Sequence, residues 1–355
     1  MGRLLAVSLA QAGHTVRVLD AGAPDGSGAA ARVAAAMLAP LAESAITEAN
    51  VVAMGQYALT RWPQLIAQLK APVFFQQAGT LILWHRQDAH EAQRFGGLLA
   101  QTGRALPSLP QPQTLDGQAI TALEPALSHR FHQGLYLPEE GQLDNRQLLQ
   151  ALTNTLHSLG VTVEWNTAWS MAQAMDWQAQ QGGWVLDCRG LGAQAEWQAP
   201  KQTLRGVRGE VARLHAPDVH LTRPTRLLHP RYPIYIAPKE NNIFVIGATE
   251  IETNDMSPAS VRSTLELLSA AYTVHPGFGE ARILELCTQC RPTLQDNLPG
   301  VFEAAPRVLQ VNGLYRHGFM ISPAMLDAVL EWMQHGTTTL AQQLNLRFDT
   351  APEKH

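Results

Sequence analysis

Helical spacing of apolar residues opens the chain. From Gly2 to Ala12, Leu4, Leu5, Val7 and Leu9 make one apolar face, Gly13 is its left-handed stop, and Thr15 to Leu19 (TVRVL) is a β-branched strand, expected to be buried, that ends at Asp20. Ile46 to Leu59 repeats the helical pattern, is interrupted near Pro63 and resumes to Lys70. The period then shortens: Val73 to Gln76 and Gly79 to Trp84 read as strands, Ala89 to Thr102 as a polar helix, and Leu106 to Pro112 as a Pro-rich connector.

A stronger helix follows at Arg146 to Leu159, where Leu148, Leu149, Leu152, Leu156 and Leu159 keep the spacing, Asp144 or Asn145 caps the start and Gly160 ends it. Val161 to Trp165 and Trp184 to Asp187 are strands, the second feeding a turn at Arg189, Gly190, Leu191, Gly192 and Ala193. Between 204 and 249 strands dominate, at Gly209 to Leu214, Pro233 to Ala237 and Ile243 to Gly247, with hairpin residues Asn241 and Asn242. A helix at Ser257 to Tyr272 and a further run at Ile283 to Arg291 lead to Val311 to Met333. There a loop carrying Gly313, Tyr315, Arg316, His317 and Gly318 enters a helix that Ser322 and Pro323 are expected to start, with an apolar stripe from Ala324 to Met333. A helix start of this kind presents free N–H groups that attract an anion or an electron-rich carbonyl, although Gly, Arg and Pro also serve turn geometry alone.

The opening helix and strand read as the second half of a βαβ unit. In dinucleotide-binding folds an acidic residue ending the second strand meets the adenosine ribose, and Asp20 has that type and offset. Gly2 is then the third glycine of the G-x-G-x-x-G fingerprint, so the chain is expected to begin inside the motif, about 10 residues of strand and loop short of the usual unit. A plain helix–strand pair fits the same residues. The small-residue run Ala29 to Ala36, followed by Met37, would let an extended cofactor lie close to the backbone, or is simply helix.

Composition narrows the function classes. With 355 residues the chain exceeds one average domain, and a formal charge of −4 without a Lys/Arg cluster argues against a nucleic-acid surface. A small-molecule enzyme fits better. Three cysteines, Cys188, Cys287 and Cys290, give no disulfide framework. Cys287 and Cys290 form a CxxC, but no second pair, HxH or HExxH accompanies it, and residues three apart on a strand face opposite ways, so no metal is expected. No apolar run reaches membrane-spanning length. The N-terminal MGRLLAVSLAQA has too short an apolar core for a signal peptide, Ala6 stands where a myristoylation site wants Ser or Thr, and the cytoplasm is the expected compartment.

Taken in order, AGHTVRVLD at 12–20, AAAML at 34–38, AGTLIL at 78–83, VLDCRGLGA at 185–193, VRGEV at 207–211, YIAP at 235–238, FVIGATE at 244–250, CRPTLQDNLPG at 290–300 and GLYRHGFMISPA at 313–324 make the chain resemble the FAD-dependent D-amino-acid oxidase superfamily. Within it, the similarity is greatest to the glycine oxidases that serve thiamine biosynthesis, and it covers nearly the whole length. The resemblance implies an α/β protein, α+β overall, in which a three-layer Rossmann-like FAD domain (1–70, 142–203 and 288–345) is interleaved with an antiparallel-sheet substrate domain (71–141 and 204–287), and 346–355 is a tail. Ala35–Ala36 departs from a Gly-bearing pair, and Cys290 stands where a small or apolar residue is common.

The implied reaction takes hydride from the Cα of a small amino acid to flavin N5, leaves an imine that water hydrolyses, and returns the electrons to oxygen as hydrogen peroxide. A dedicated side-chain base is not required, because the cofactor carries the hard step. Arg291 is the implied carboxylate fork, Tyr235 its hydroxyl partner and Arg316 a second cation. Taken alone, an Arg before Pro fits a surface ion pair equally well, and a strand Tyr fits core packing. Gly2, Asp20, Ala36, Met37, Gly190, Gly313, Arg316, His317, Gly318, Phe319 and Met320 are the implied FAD contacts. The alternatives are a related D-amino-acid dehydrogenase or sarcosine-type oxidase and, in another class, a flavin-free binding protein. Substrate size, electron acceptor and assembly as a homo-oligomer stay open.

Overall fold

The computed structural model describes residues 1–197 and 202–349; part of the linker before 203 and most of the expected tail, 350–355, lie outside the described residues. An eight-stranded sheet forms one wall. Its order is Arg282–Thr293, Arg205–His215, Ile243–Gly247, Ile234–Pro238, Thr225–Leu228, Thr80–Trp84, Gln133–Leu137 and Gln113–Asp116. Neighbours run antiparallel except Thr225–Leu228 beside Thr80–Trp84, which are parallel. Asn241 and Asn242 turn the hairpin between Ile234–Pro238 and Ile243–Gly247 at φ of 59° and 56°, the left-handed geometry that asparagine tolerates best after glycine.

The sheet has two faces of different character. Ala212, Leu214, Ile236, Phe244 and Ile246 point to one side, where they bury against Leu267, Ala270, Ala271 and Val274 of the helix Val261–Val274. That helix starts later than the sequence pattern indicates. Ser260 caps it by accepting the Ser263 N–H at 3.1 Å, so Pro258 lies outside. On the other side, Val211, Ala237 and Val245 meet Ala35, with Val33, Met37 and Tyr235 packed around them.

The remaining strands make smaller sheets. Arg17–Asp20 pairs in parallel with Thr162–Trp165, while Arg347–Asp349, Gly300–Ala305, Val308–Asn312 and Val185–Asp187 form a four-stranded sheet in that order. The expected burial of the first strand does not hold: Arg17–Asp20 is half-buried, since among the described residues it is paired along one edge only. The described part of 346–355 adds the edge strand Arg347–Asp349, parallel to Gly300–Phe302. Met37–Leu38, Gly141–Leu143 and Phe75–Gln76 make a three-stranded bridge.

One core holds Leu4, Leu5, Val51, Met54, Trp62, Leu148, Leu152, Val301, Leu309, Ile321 and Met325; another lies beneath the large sheet. Ala49–Ala67 is a single helix rather than two, running through Pro63. Burial of Val51, Val52, Met54, Ala58, Leu59, Trp62 and Leu65 on one face outweighs the roughly 3 kcal/mol a mid-helix proline costs. Among the described residues no helix is long and apolar enough to cross a membrane.

Candidate active site

The C-terminal helix sets the site's position. It begins at Gly318, four residues before the expected Ser322, and Pro323 lies inside it. A proline there cannot donate to the carbonyl of Phe319, and the freed oxygen accepts instead from Trp62 Nε1 at 2.8 Å. The helix therefore survives its proline, and Gly318, Phe319 and Met320 become its first turn, whose N–H groups have no carbonyl of the helix to meet. Trp62→Phe removes that donor and leaves the Phe319 oxygen unpaired, so urea unfolding is expected to show a loss of about 2 kcal/mol with an unchanged slope. An unaltered midpoint would show that the oxygen finds another partner.

In front of this turn lies a cavity of about 1220 Å³, above the roughly 300–1,000 Å³ of an ordinary small-molecule cleft. Its walls bring together Ala36, Met37, Gly190, Tyr235, Arg291, Arg316, His317, Gly318, Phe319 and Met320. Three expected contacts are placed elsewhere. Gly313, at φ 76°, is a turn residue packed against Leu294 and Leu298. Asp20 accepts from the Gly22 N–H at 2.9 Å and pairs with Arg3 at 3.2 Å, so its carboxylate is engaged within the chain. Gly2 faces Cys188 at the cavity's margin, between the lining residues Met1 and Leu4.

One long wall is the run from Gly28 to Met37, with almost no side chain to fill space. Ala36 sits at φ 52°, a left-handed conformation in which glycine is at ease and alanine is strained. Its neighbours are fixed from outside. The Lys239 ammonium, on the turn after Ile234–Pro238, donates to the Ala35 carbonyl at 2.8 Å, the Leu143 carbonyl at 2.8 Å and Gln142 Oε1 at 2.9 Å.

At the far end the sheet presents polar groups. Strand register puts Arg226, Tyr235, Gly247, Val211, Gly209 and Arg291 on one face. Two glycines make room there. A Cβ on Gly209 would stand 2.5 Å from Arg291 Nη2, and one on Gly247 would stand 2.5 Å from Tyr235 Cζ, so each side chain lies flat over the bare backbone beside it. The Arg291 guanidinium donates only to main-chain oxygens, Arg208 and Thr249 at 3.2 Å and Val207 at 3.4 Å. No carboxylate accompanies it among the described residues.

The other two guanidinium groups are spoken for. Glu43, ending the short helix Pro40–Glu43, reaches Arg226 Nη2 at 2.6 Å with one oxygen; the other lies 3.3 Å from Arg316 Nε and 3.5 Å from His317 Nδ1. Arg316 also meets Glu250 at 2.9 Å, and Glu250 accepts from the Tyr315 hydroxyl at 2.5 Å. Burial raises the Glu43 carboxyl, but Arg316 and Arg226 outweigh it and hold the group well below the usual carboxylate range. Burial, helped by Arg316 and Arg226, takes His317 down to about 4, so the imidazole is neutral at pH 7. Burial also pushes the Tyr235 phenol up, keeping it a hydrogen-bond donor. Behind Glu43, the buried Glu140 carboxylate accepts the Ala42 N–H at 2.7 Å and steadies that short helix.

Glu43, Arg226, Gly209 and Gly247 carry much of this geometry without having been singled out. The glycines did leave a signal, since an isolated Gly inside a strand pattern marks a close approach. Glu43 left none, because an acid after PLA reads as solvated helix. Cys287 and Cys290 are free thiols on Arg282–Thr293.

A family profile described as FAD dependent oxidoreductase matches residues 1–332. A protein of Rhizobium etli, provisionally named thiamine biosynthesis oxidoreductase ThiO, is 38% identical over 334 residues, covering 92% of each chain. Glycine oxidase from Geobacillus kaustophilus superposes with a TM-score of 0.77 at 22% identity, over 95% of this chain and 93% of that one. Iminodiacetate oxidase from a Chelativorans species superposes with a TM-score of 0.78 at 16% identity, over 99% and 97%. At such identities the two superpositions speak for the fold alone.

Proposed function

The chain belongs to the FAD-dependent oxidoreductase family, and from that premise we propose that it oxidises glycine or another small amino acid at Cα. FAD, when bound, supplies the two-electron acceptor and returns those electrons to oxygen as hydrogen peroxide. One observation carries the substrate class: Arg291 projects from the sheet into the cavity and, unlike Arg226 and Arg316, has no acidic partner among the described residues, and a free carboxylate is the ligand such a fork best fits. The fit to a flavin rests on the open first turn at Gly318–Met320 and the small-residue wall from Gly28 to Ala36.

Within this reading the residues divide the work by position. Arg291 takes the carboxylate with two N–H groups and so fixes the substrate's rotation as well as its place. Tyr235 adds a hydroxyl donor from the same face of the sheet. The first turn of Gly318–His335 offers N–H groups to the electron-rich edge of the ring, and the run 34–37 flanks it. No side chain needs to act as a base. The imine leaves for hydrolysis to an oxo acid and ammonia, or for use in building the thiamine thiazole. The interleaved division into 1–70, 142–203 and 288–345 against 71–141 and 204–287 belongs to the same proposal, supported by two separate apolar cores.

The purified chain is expected to carry FAD by its visible spectrum and to release peroxide with glycine, sarcosine or small D-amino acids. Flavin reduction by an amino acid without peroxide would move the protein to the dehydrogenases, and colourless protein unable to take up FAD would end the enzyme reading.

A further inference from the structure

Arg226, Arg291 and Arg316 all face the sheet end of one cavity, yet only Arg291 is without an acid. The difference comes from Glu43. Its side chain, 7% exposed, bridges Arg226 at 2.6 Å and Arg316 at 3.3 Å, two cations that arrive from the strand Thr225–Leu228 and the loop before Gly318–His335. Each Glu43 oxygen faces a guanidinium, which is how the second carboxylate of a dicarboxylic amino acid would have to bind there. Tyr235 links the two positions: it is opposed to Arg226 across their strands, and its ring covers Gly247, which pairs with Val211, two residues along from the Gly209 that the Arg291 guanidinium covers.

We propose that Glu43 is a specificity-determining residue, an internal carboxylate that fills a second anion position and restricts the cavity to substrates with one carboxylate; this rests on the amino-acid oxidase reading above. Exclusion acts twice. The side chain occupies the volume, and its charge repels a second carboxylate while neutralising the cations that would attract it. Glu250, on the outer side of Arg316 and 48% exposed, cannot substitute, because its interaction is screened by solvent and it does not reach Arg226.

The FAD-loaded full chain tests this through binding rather than turnover. Calorimetric titration with malonate and with acetate gives a ratio of dissociation constants for the wild type, for Glu43→Ala, which opens both room and charge, and for Glu43→Gln, which frees the charge but keeps the side chain's bulk. Glu43→Ala is expected to shift the ratio toward malonate by about tenfold or more, Glu43→Gln by less, and Glu43→Ala with Arg226→Ala to abolish the shift. A parallel weakening of both ligands, or a gain that survives loss of Arg226, overturns the proposal. If Glu43→Ala does not fold, an unchanged ratio in Glu43→Gln overturns it equally. Peroxide release from glycine by the wild type is read separately, so failure of the substrate assignment and failure of the Glu43 role give different results.

Discussion

An Arg291→Met enzyme is expected to lose about a thousandfold in kcat/KM toward its amino acid, nearly all of it in KM, while holding FAD as before. The size follows from removing one partner of a desolvated charge-assisted pair, roughly 2–5 kcal/mol. The direction into KM follows from role: Arg291 lies on the sheet, donates to Val207, Arg208 and Thr249 carbonyls, and is read as holding the carboxylate rather than the reacting Cα or the flavin edge. Arg291→Lys restores charge without the planar fork and is expected to remain about a hundredfold below wild type. Steady-state kinetics with the flavin spectrum measured on the same sample decide the matter. A wild-type KM in Arg291→Met would remove the carboxylate role and leave Arg316 or Arg226 to be displaced from Glu43.

Gly209→Ala is expected to reproduce much of that loss without altering any charged residue. The new Cβ would stand 2.5 Å from the Arg291 guanidinium, and what it meets is the far end of a flexible side chain rather than backbone. Stability should therefore change by less than about 1 kcal/mol, a strand alanine being no worse than a strand glycine, while KM rises about a hundredfold as the fork is pushed off its seat. Thermal melting and kinetics on one preparation separate these effects. An unchanged KM would mean that Arg291 rotates to an equally good pose, and a collapsed melt would mean that the backbone gives way first.

Much of the architecture is legible from periodicity because the elements obey local rules. Asp144 caps Asn145–Ser158, Gly13 and Gly160 take left-handed turns where the helices stop, and Asn241–Asn242 make the hairpin. The misplaced boundaries have tertiary causes. Pro323 looks like a helix start, and only the distant Trp62 Nε1 permits a further turn ahead of it; Pro63 looks like a break, and only the buried face of its helix carries it through.

The site divides in the same way. Arg291, Tyr235 and Arg316 could be nominated from their motifs, and the cavity gathers all three. What could not be read is which arginine is free, because that depends on an acid at position 43 meeting cations at 226 and 316. Chain order says nothing about such a meeting. Asp20 matches a ribose ligand in type and offset, and its carboxylate, 36% exposed, also accepts from Arg3 and the Gly22 amide, contacts that the sequence pattern does not announce.

Lys239 has a wider effect than its three hydrogen bonds. It sits on a turn of the large sheet, but two of its acceptors, Ala35 and Leu143, belong to the small-residue wall and its supporting strand. Loosening that wall would leave the buried Lys239 amino group without two of its acceptors, and loosening the sheet would orphan two buried carbonyls, so neither opens cheaply alone. The large sheet and the small-residue wall that line the cavity are thus tied through one buried side chain, and parting them costs its hydrogen bonds.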